Sequence, residues 1–459
     1  MKCFLIDANI ATSPYPVYPL GMSMVANALM KAGNQVFQFD FLQNNSSYEK
    51  LLSSVKKESP EIIGISMRNI DNVNSVNEEQ YTNVVKSIAN QVRSVSNAVI
   101  VLGGTAFSIL PEQLLEKIGA DFGIAGEGEH LMVELVSQLE TGKTPVNKIL
   151  KAKSDLKGTE IQRAWYDKQI LDYYLDNGSI ANVQTKRGCI HKCVYCSYPY
   201  LEGKVFRNRD IQETIDDIQF LIKECKVKMI FFTDSVFNDR QGNYIELLKE
   251  MDKKNISIPW TAYIKPEKIS KSVIDLMIKT GVRGVEIGSD GASDETLAGL
   301  GKSFRFKDII ECNNSFTDNK IATANFFMFG CPSETVKTVH QGISNIINLK
   351  KTVSFIFLGI RILPNTKLHD IAIKQEILKK DDDLLKPVYY IAPGLDRQWM
   401  HSTLNEQFKP YRHCVFPPDA LENSVKFLHK LGHTGLMWDL LIPGKNRLRG
   451  KKRVKRVKK

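Results

Sequence analysis

Thr185-Lys-Arg-Gly-Cys189-Ile-His-Lys-Cys193-Val-Tyr-Cys196 gathers three of the chain's eight cysteines into one C-x3-C-x2-C run. The other five, Cys3, Cys225, Cys312, Cys331 and Cys414, are scattered. The chain opens without a charged-then-apolar leader, so clustered cysteines are expected to serve metal or catalysis and not a disulfide framework. Soft thiolates at this spacing can wrap three irons of a 4Fe–4S cubane and leave the fourth open. An open iron can chelate the amino and carboxylate groups of a methionine-type ligand. A closed zinc site would want a fourth protein ligand. His191 sits inside the loop and is expected to face solvent, because it is badly placed to complete a tetrahedron with its own flanking cysteines.

The loop follows a short apolar run, Asn182 to Gln184, that reads as a strand. Five more runs continue the series: Met229 to Thr233, Trp260 to Ile264, Gly284 to Ile287, Thr323 to Phe329 and Phe355 to Ile360. Helical patterns fill the gaps, as at Ile211 to Cys225 and Lys271 to Thr280. This predicts an open, partial (β/α)6 barrel over residues 181–375, because a closed eight-unit barrel takes about 250 residues. Upstream, residues 1–145 show a second alternation. Strands are expected at Lys2 to Ile6, Gln35 to Phe39, Ile62 to Ser66, Ala98 to Leu102 and Asp121 to Ile124, with a helix over Leu20 to Ala32. That pattern predicts an α/β, flavodoxin-like, doubly wound (Rossmann-like) sheet, which takes ligands outside the carboxyl ends of its strands. Residues 146–180 read as a weakly patterned connector, 376–446 as a small C-terminal accessory region and 447–459 as a tail.

Of the 459 residues, 43% are hydrophobic and 25% charged, as in ordinary globular proteins. No run approaches the roughly 18 apolar residues of a membrane span, and a cytoplasmic location is expected. The net charge of +11 comes from 62 basic and 51 acidic residues, but residues 447–459 hold nine Lys or Arg and no acid. Without them the balance is 53 against 51, a net of +2. A near-neutral body argues against a nucleic-acid-binding face, and a basic tail reads as a solvated arm. Just before it lies Leu436-Met-Trp438-Asp-Leu440-Leu-Ile442. Core packing of this stretch is the favoured reading. The alternatives are a peripheral contact with an anionic membrane and, third, a contact between the tail and RNA.

The cysteine spacing, the aromatic Tyr195 before the last cysteine and the strand placement resemble the radical S-adenosylmethionine (SAM) superfamily. Further segments match in order: Phe231-Phe-Thr-Asp234, Gly284-Val-Glu286-Ile-Gly288-Ser289-Asp290, Gly330-Cys-Pro332-Ser-Glu334-Thr335 and Arg361-Ile-Leu-Pro364-Asn-Thr366. The resemblance implies cluster ligands Cys189, Cys193 and Cys196. It implies SAM contacts at Asp234, Glu286, Ser289, Gly330, Glu334 and Arg361. In the first domain, Pro19-Leu20-Gly21, Ile63-Gly64-Ile65-Ser66, Leu102-Gly103-Gly104-Thr105 and Gly126-Glu127-Gly128-Glu129 resemble the cobalamin-binding domains fused to such enzymes. Gly21, Ser66, Arg68, Gly103, Gly104, Gly126 and Glu127 are the implied cobalamin contacts. The D-x-H-x-x-G motif of many cobalamin proteins is absent, since no His precedes His130. Arg68 or Asn69 would then lie near the lower face of cobalt. Methylthiotransferases of the superfamily carry additional N-terminal cysteines, whereas only Cys3 precedes Cys189 here.

The implied activity is reductive cleavage of SAM to a 5′-deoxyadenosyl radical, followed by cobalamin-dependent methylation of an unactivated carbon. The substrate would be a small molecule or lipid-like, and a ferredoxin or flavodoxin would supply electrons. A cobalamin-dependent cyclisation or rearrangement without methyl transfer is the alternative. A non-catalytic cofactor-binding sensor is a further one.

Overall fold

A computed structural model describes residues 1–13 and 15–443. The N-terminal sheet comprises β1 (Lys2–Asp7), β2 (Gln35–Asp40), β3 (Ile62–Ser66), β4 (Val99–Gly103), β5 (Phe122–Ala125) and β6 (Ile149–Lys151). Its order is β2-β1-β3-β4-β5-β6, with every neighbouring pair parallel. Buried parallel strands need apolar side chains on both faces, and β1 shows why its run is continuous. Cys3 and Leu5 join one core with the helix Leu20–Lys31, while Phe4 and Ile6 join a second core on the other face. Strand order reverses beside β1, so β1 and β3 flank the crevice where a doubly wound sheet takes its ligand. The sixth strand lies within the stretch expected to be a connector.

The second half carries β7 (Ala181–Val183), β8 (Lys186–Arg187), β9 (Arg207–Asn208), β10 (Ile230–Phe232), β11 (Trp260–Ile264), β12 (Gly284–Asp290), β13 (Ala322–Phe329), β14 (Val353–Leu358), β15 (Ile360–Arg361), β16 (Tyr389–Tyr390) and β17 (Cys414–Val415). Its main sheet runs β17-β14-β13-β12-β11-β10-β7, parallel throughout. Among the described residues β7 and β17 do not pair, so the barrel stays open, as the count of strand–helix units predicted. Helices return between strands with capped starts. Asp210 accepts from the Glu213 N–H, Ser270 from Val273 and Thr335 from Thr338. The outward side chains Ala262, Ile264, Val285 and Ile287 pack on those helices.

The stretch 436–442 packs against the protein through its two ends, in line with the favoured of its expected roles, while Leu440 between them stays exposed. Leu436 joins Ile180, Met229 and Phe231, and Ile442 joins Ala322, Val353 and Val415. These partners stand at the amino ends of the barrel strands, so the segment plugs the barrel's base. The basic tail, 447–459, lies outside the described residues.

Candidate functional site

A cleft of about 380 Å³ opens at the carboxyl ends of the N-terminal strands. Its walls include Gly21, Ser66, Arg68, Gly103, Gly104, Gly126 and Glu127, all seven residues expected to meet cobalamin. Backbone shape makes the slot. Gly104 has φ +96°, and a Cβ there would stand 2.5 Å from the Met67 carbonyl oxygen. A Cβ on Gly21 would meet nothing within 4 Å, so this helical glycine leaves free space on the cleft wall. The opposite wall comes from the barrel half and includes Asn182, Gln184, Arg187, Tyr198, Glu202 and Thr233. Both amide atoms of buried Asn182 lack a hydrogen-bond partner. An unpaired buried amide on a cleft wall is what a polar ligand would satisfy. Burial pushes the Glu202 carboxyl up to about 7.

The residues leading into the cysteine loop are anchored one by one. Asp234, at the end of β10, accepts the backbone N–H groups of Thr185 at 2.7 Å and Lys186 at 3.2 Å, and the Thr185 hydroxyl as well. The Lys186 Nζ bonds Asp239 at 2.7 Å. Arg187 reaches across to the first domain, pairing with Glu127 at 2.8 Å and Glu129 at 2.6 Å. Gly188 then turns at φ +89°, where any Cβ would strike the Val205 carbonyl oxygen.

Beyond this turn Cys189 is buried, while Cys193 and Cys196 are partly exposed. Burial pushes the Cys196 thiol up to about 12, with Cys193 and Cys189 adding to the rise. The three thiols share one loop, with a buried ammonium, Lys302, 3.2 Å from the Cys193 sulfur. Among the described residues no three His, Cys, Asp or Glu side chains close on a single metal ion. Thiolates spread around a multi-iron cubane do not need to. His191 is half-buried against Phe206 rather than solvent-facing, and burial with the nearby cations Lys265 and Lys302 lowers its pKa to about 4. A neutral ring there does not add a fourth charge to the loop.

The residues expected at SAM fall into two groups. Asp234, Ser289, Glu334 and Arg361 are tied to protein partners. Ser289 donates to Asn325 at 2.7 Å. Glu334 accepts from the Cys331 N–H at 2.9 Å and from the Gly330 N–H, fixing that turn. Arg361 bonds Asp71 of the first domain at 2.8 Å and the carbonyls of Ile362 and Leu384. Glu286 differs. Burial pushes its carboxyl up to about 7, opposed by a hydrogen bond from Trp438. Sequence reading passed over Lys302, Glu129, Glu202 and Asn182. Of the ion-pair network, Arg187 adjoins the cysteine loop and Glu127 and Glu129 stand in the Gly126-Glu127-Gly128-Glu129 segment, but nothing local pairs them.

Two family models match the chain: the B12 binding domain over residues 6–136 and the Radical SAM superfamily over residues 183–343. Tryptophan 2-C-methyltransferase of Streptomyces laurentii is 23% identical over 76% of this chain and 71% of its own length. An uncharacterized methyltransferase of Pyrococcus horikoshii is 25% identical over 78% of this chain and 79% of its own. The radical S-adenosylmethionine methyltransferase TsrM of Kitasatospora setae, solved with cobalamin and a [4Fe-4S] cluster, superposes with a TM-score of 0.83. The match covers 96% of this chain and 97% of that one at 22% identity, a likeness of fold. Two sheets with their strand ends facing one cleft, and a three-cysteine loop at its edge, fit both family models: the chain joins a B12-binding domain to a radical SAM domain.

Proposed function

We propose that the protein is a cobalamin-dependent radical SAM enzyme that methylates carbon in a small molecule. The observation that carries this reading is the shared cleft, whose one wall is the strand-end slot of the first sheet and whose other wall adjoins the cysteine loop. The similarity to enzymes named as methyltransferases supports methyl transfer over cyclisation or rearrangement. Cys189, Cys193 and Cys196 would hold the cluster, and Gly21, Ser66, Arg68, Gly103, Gly104 and Gly126 would receive the corrinoid. When bound, the cluster and SAM supply one-electron bond cleavage and the corrinoid supplies a methyl carrier.

The chain's own residues orient and enclose. Glu334 shapes the Gly330–Cys331 turn and Asp234 fixes the entry to the cysteine loop, so both act at one remove from SAM. Glu127, bound by Arg187 and Arg207, holds the two walls together. Arg68 lies on the cleft wall, near enough for its charge to oppose the rise in pKa that burial imposes on Tyr15, Tyr198 and Tyr263. A low-potential donor of the ferredoxin or flavodoxin class would supply electrons.

Anaerobic reconstitution of the full chain with iron, sulfide and hydroxocobalamin tests this. Cluster and corrinoid absorption bands are expected together. Gly21→Phe should fill the cleft, losing the corrinoid band at micromolar cofactor while keeping the cluster band. Equal corrinoid binding by the variant and the unaltered protein would put cobalamin elsewhere.

We also propose that the basic tail assists association with anionic membranes by charge alone, because the neighbouring apolar stretch is occupied at the barrel's base. Each Lys or Arg near such a surface contributes about 1 kcal/mol, within a Debye length. Deleting 447–459 should weaken sedimentation with anionic vesicles at low salt and leave neutral vesicles unaffected. Unchanged binding to anionic vesicles would remove the idea.

A further inference from the structure

Lys302 is nearly buried, with its side chain 7% exposed, and it faces the cysteine loop from a separate turn. Its Nζ donates to the Cys193 sulfur at 3.2 Å and to the Tyr195 hydroxyl at 3.2 Å, and it pairs with Asp290. The ammonium also stands over the Tyr195 ring at 5.2 Å and the Phe304 ring at 5.9 Å. Backbone contacts hold this turn on the loop. The Val194 N–H donates to the Leu300 carbonyl at 3.0 Å, and Gly301 passes close to the Lys192 carbonyl.

Asp290 is brought there by an irregularity. The pairing of β12 with β13 shifts register between Ile287 and Asp290, and Asp290 takes φ +62°, a left-handed conformation. A side chain held in that region at a site is a constraint imposed by its surroundings. Here the outcome is one carboxylate placed against one buried ammonium that touches a cluster cysteine.

We propose that Lys302 and Asp290 together set the reduction potential of the cluster, Lys302 by donating to the Cys193 sulfur and Asp290 by offsetting that positive charge. This rests on the reading that Cys189, Cys193 and Cys196 hold a 4Fe–4S cluster. The step concerned is the gain of one electron by the cluster from a low-potential donor of the ferredoxin or flavodoxin class. No bond in the protein forms or breaks. Reduction adds negative charge beside Cys193. A hydrogen-bonding ammonium at the sulfur favours the reduced state, and more strongly in a site shielded from water. The carboxylate opposes it.

The pair predicts shifts of opposite sign. After reconstitution of full-length protein, potentiometric titration followed by absorption and electron paramagnetic resonance gives the cluster midpoint. Lys302→Met should move it to a more negative potential. Asp290→Asn should move it to a more positive one, and Asn tolerates the left-handed backbone. Each shift is expected to be at least tenfold in the reduced-to-oxidised ratio at fixed potential, about 59 mV for one electron. Lys302→Arg keeps the charge and should return close to the unaltered value. Midpoints that do not move, or that move in the same direction in both variants, overturn the proposal. If Lys302→Met does not accept a cluster, Asp290→Asn decides alone by the sign of its shift. Failure of the unaltered protein to accept a cluster overturns the cluster reading itself, a distinct result.

Discussion

Replacing Cys189, Cys193 and Cys196 together with Ala is expected to abolish the iron–sulfur absorption and all cleavage of SAM. The three thiols are the only cysteines on the loop that Asp234, Lys186 and Arg187 hold in place. Cys3, Cys312, Cys331 and Cys414 are buried elsewhere in packed cores or beneath strand ends. None can substitute, because a cluster needs its thiolates on a common loop or at a common opening. The variant should still fold, since Cys193 and Cys196 are partly exposed and a loop residue changed to Ala leaves the cores intact. Circular dichroism and the thermal transition therefore serve as controls. Cys225→Ser is the matching negative control: Cys225 follows the helix Ile211–Lys223, away from the loop, and its change should leave absorption and turnover as they were. A triple variant that still cleaves SAM would sink the assignment.

Much of this architecture was legible in the sequence, for physical reasons. Continuous apolar runs such as Cys3-Phe4-Leu5-Ile6 must lie in a sheet covered on both faces, and glycines at strand ends must leave a slot. In the two main sheets the strands without a sequence signal are short: Ile149–Lys151 and the two-residue Cys414–Val415. Each is too brief to show a period and is held by its neighbour's backbone. The cleft residues of the first domain converge because a doubly wound sheet brings its strand ends together wherever the intervening helices run. The barrel motifs were less transparent. Side chains such as Asp234, Ser289 and Arg361 look like ligand contacts in a sequence, yet each is bound to protein groups. A motif marks where a loop is needed and does not say whether its polar residue faces the ligand or braces the turn. Lys302 carries no motif, and the segment that holds Glu129 does not name its partner. Their partners are remote in sequence, and only tertiary structure brings the charges together.

The second large effect concerns that tertiary electrostatics. Arg187→Met is expected to destabilise the protein by about 3–5 kcal/mol, the usual result of removing one partner from a buried ion pair. Arg187 and Glu127 are each 8% exposed and Glu129 3%, so the carboxylates left behind could not turn to water. Arg207, 2.9 Å from Glu127, would still serve that carboxylate, and the orphan would be Glu129. Adding Glu129→Gln to Arg187→Met should therefore recover part of the loss, a coupling that a double-mutant cycle reads directly. Arg187→Lys should fall between, because one ammonium cannot span two carboxylates as a guanidinium fork does. The pH dependence has a definite direction. Burial alone would push the Glu127 carboxyl up, but Arg207 and Arg187 hold it below the ordinary glutamate range. A depressed folded-state value contributes stability above the unfolded glutamate pKa and loses it as pH falls through the folded one. The unaltered interface should thus hold through the neutral range and weaken only in acid, whereas Arg187→Met should already be weak at neutral pH. Because Arg187 leads into the cysteine loop and Glu127 closes the strand-end slot, the same variant should also load both cofactors poorly. Thermal transitions of Arg187→Met and of the double variant that match the unaltered protein would show that the four charges do not hold the two domains together.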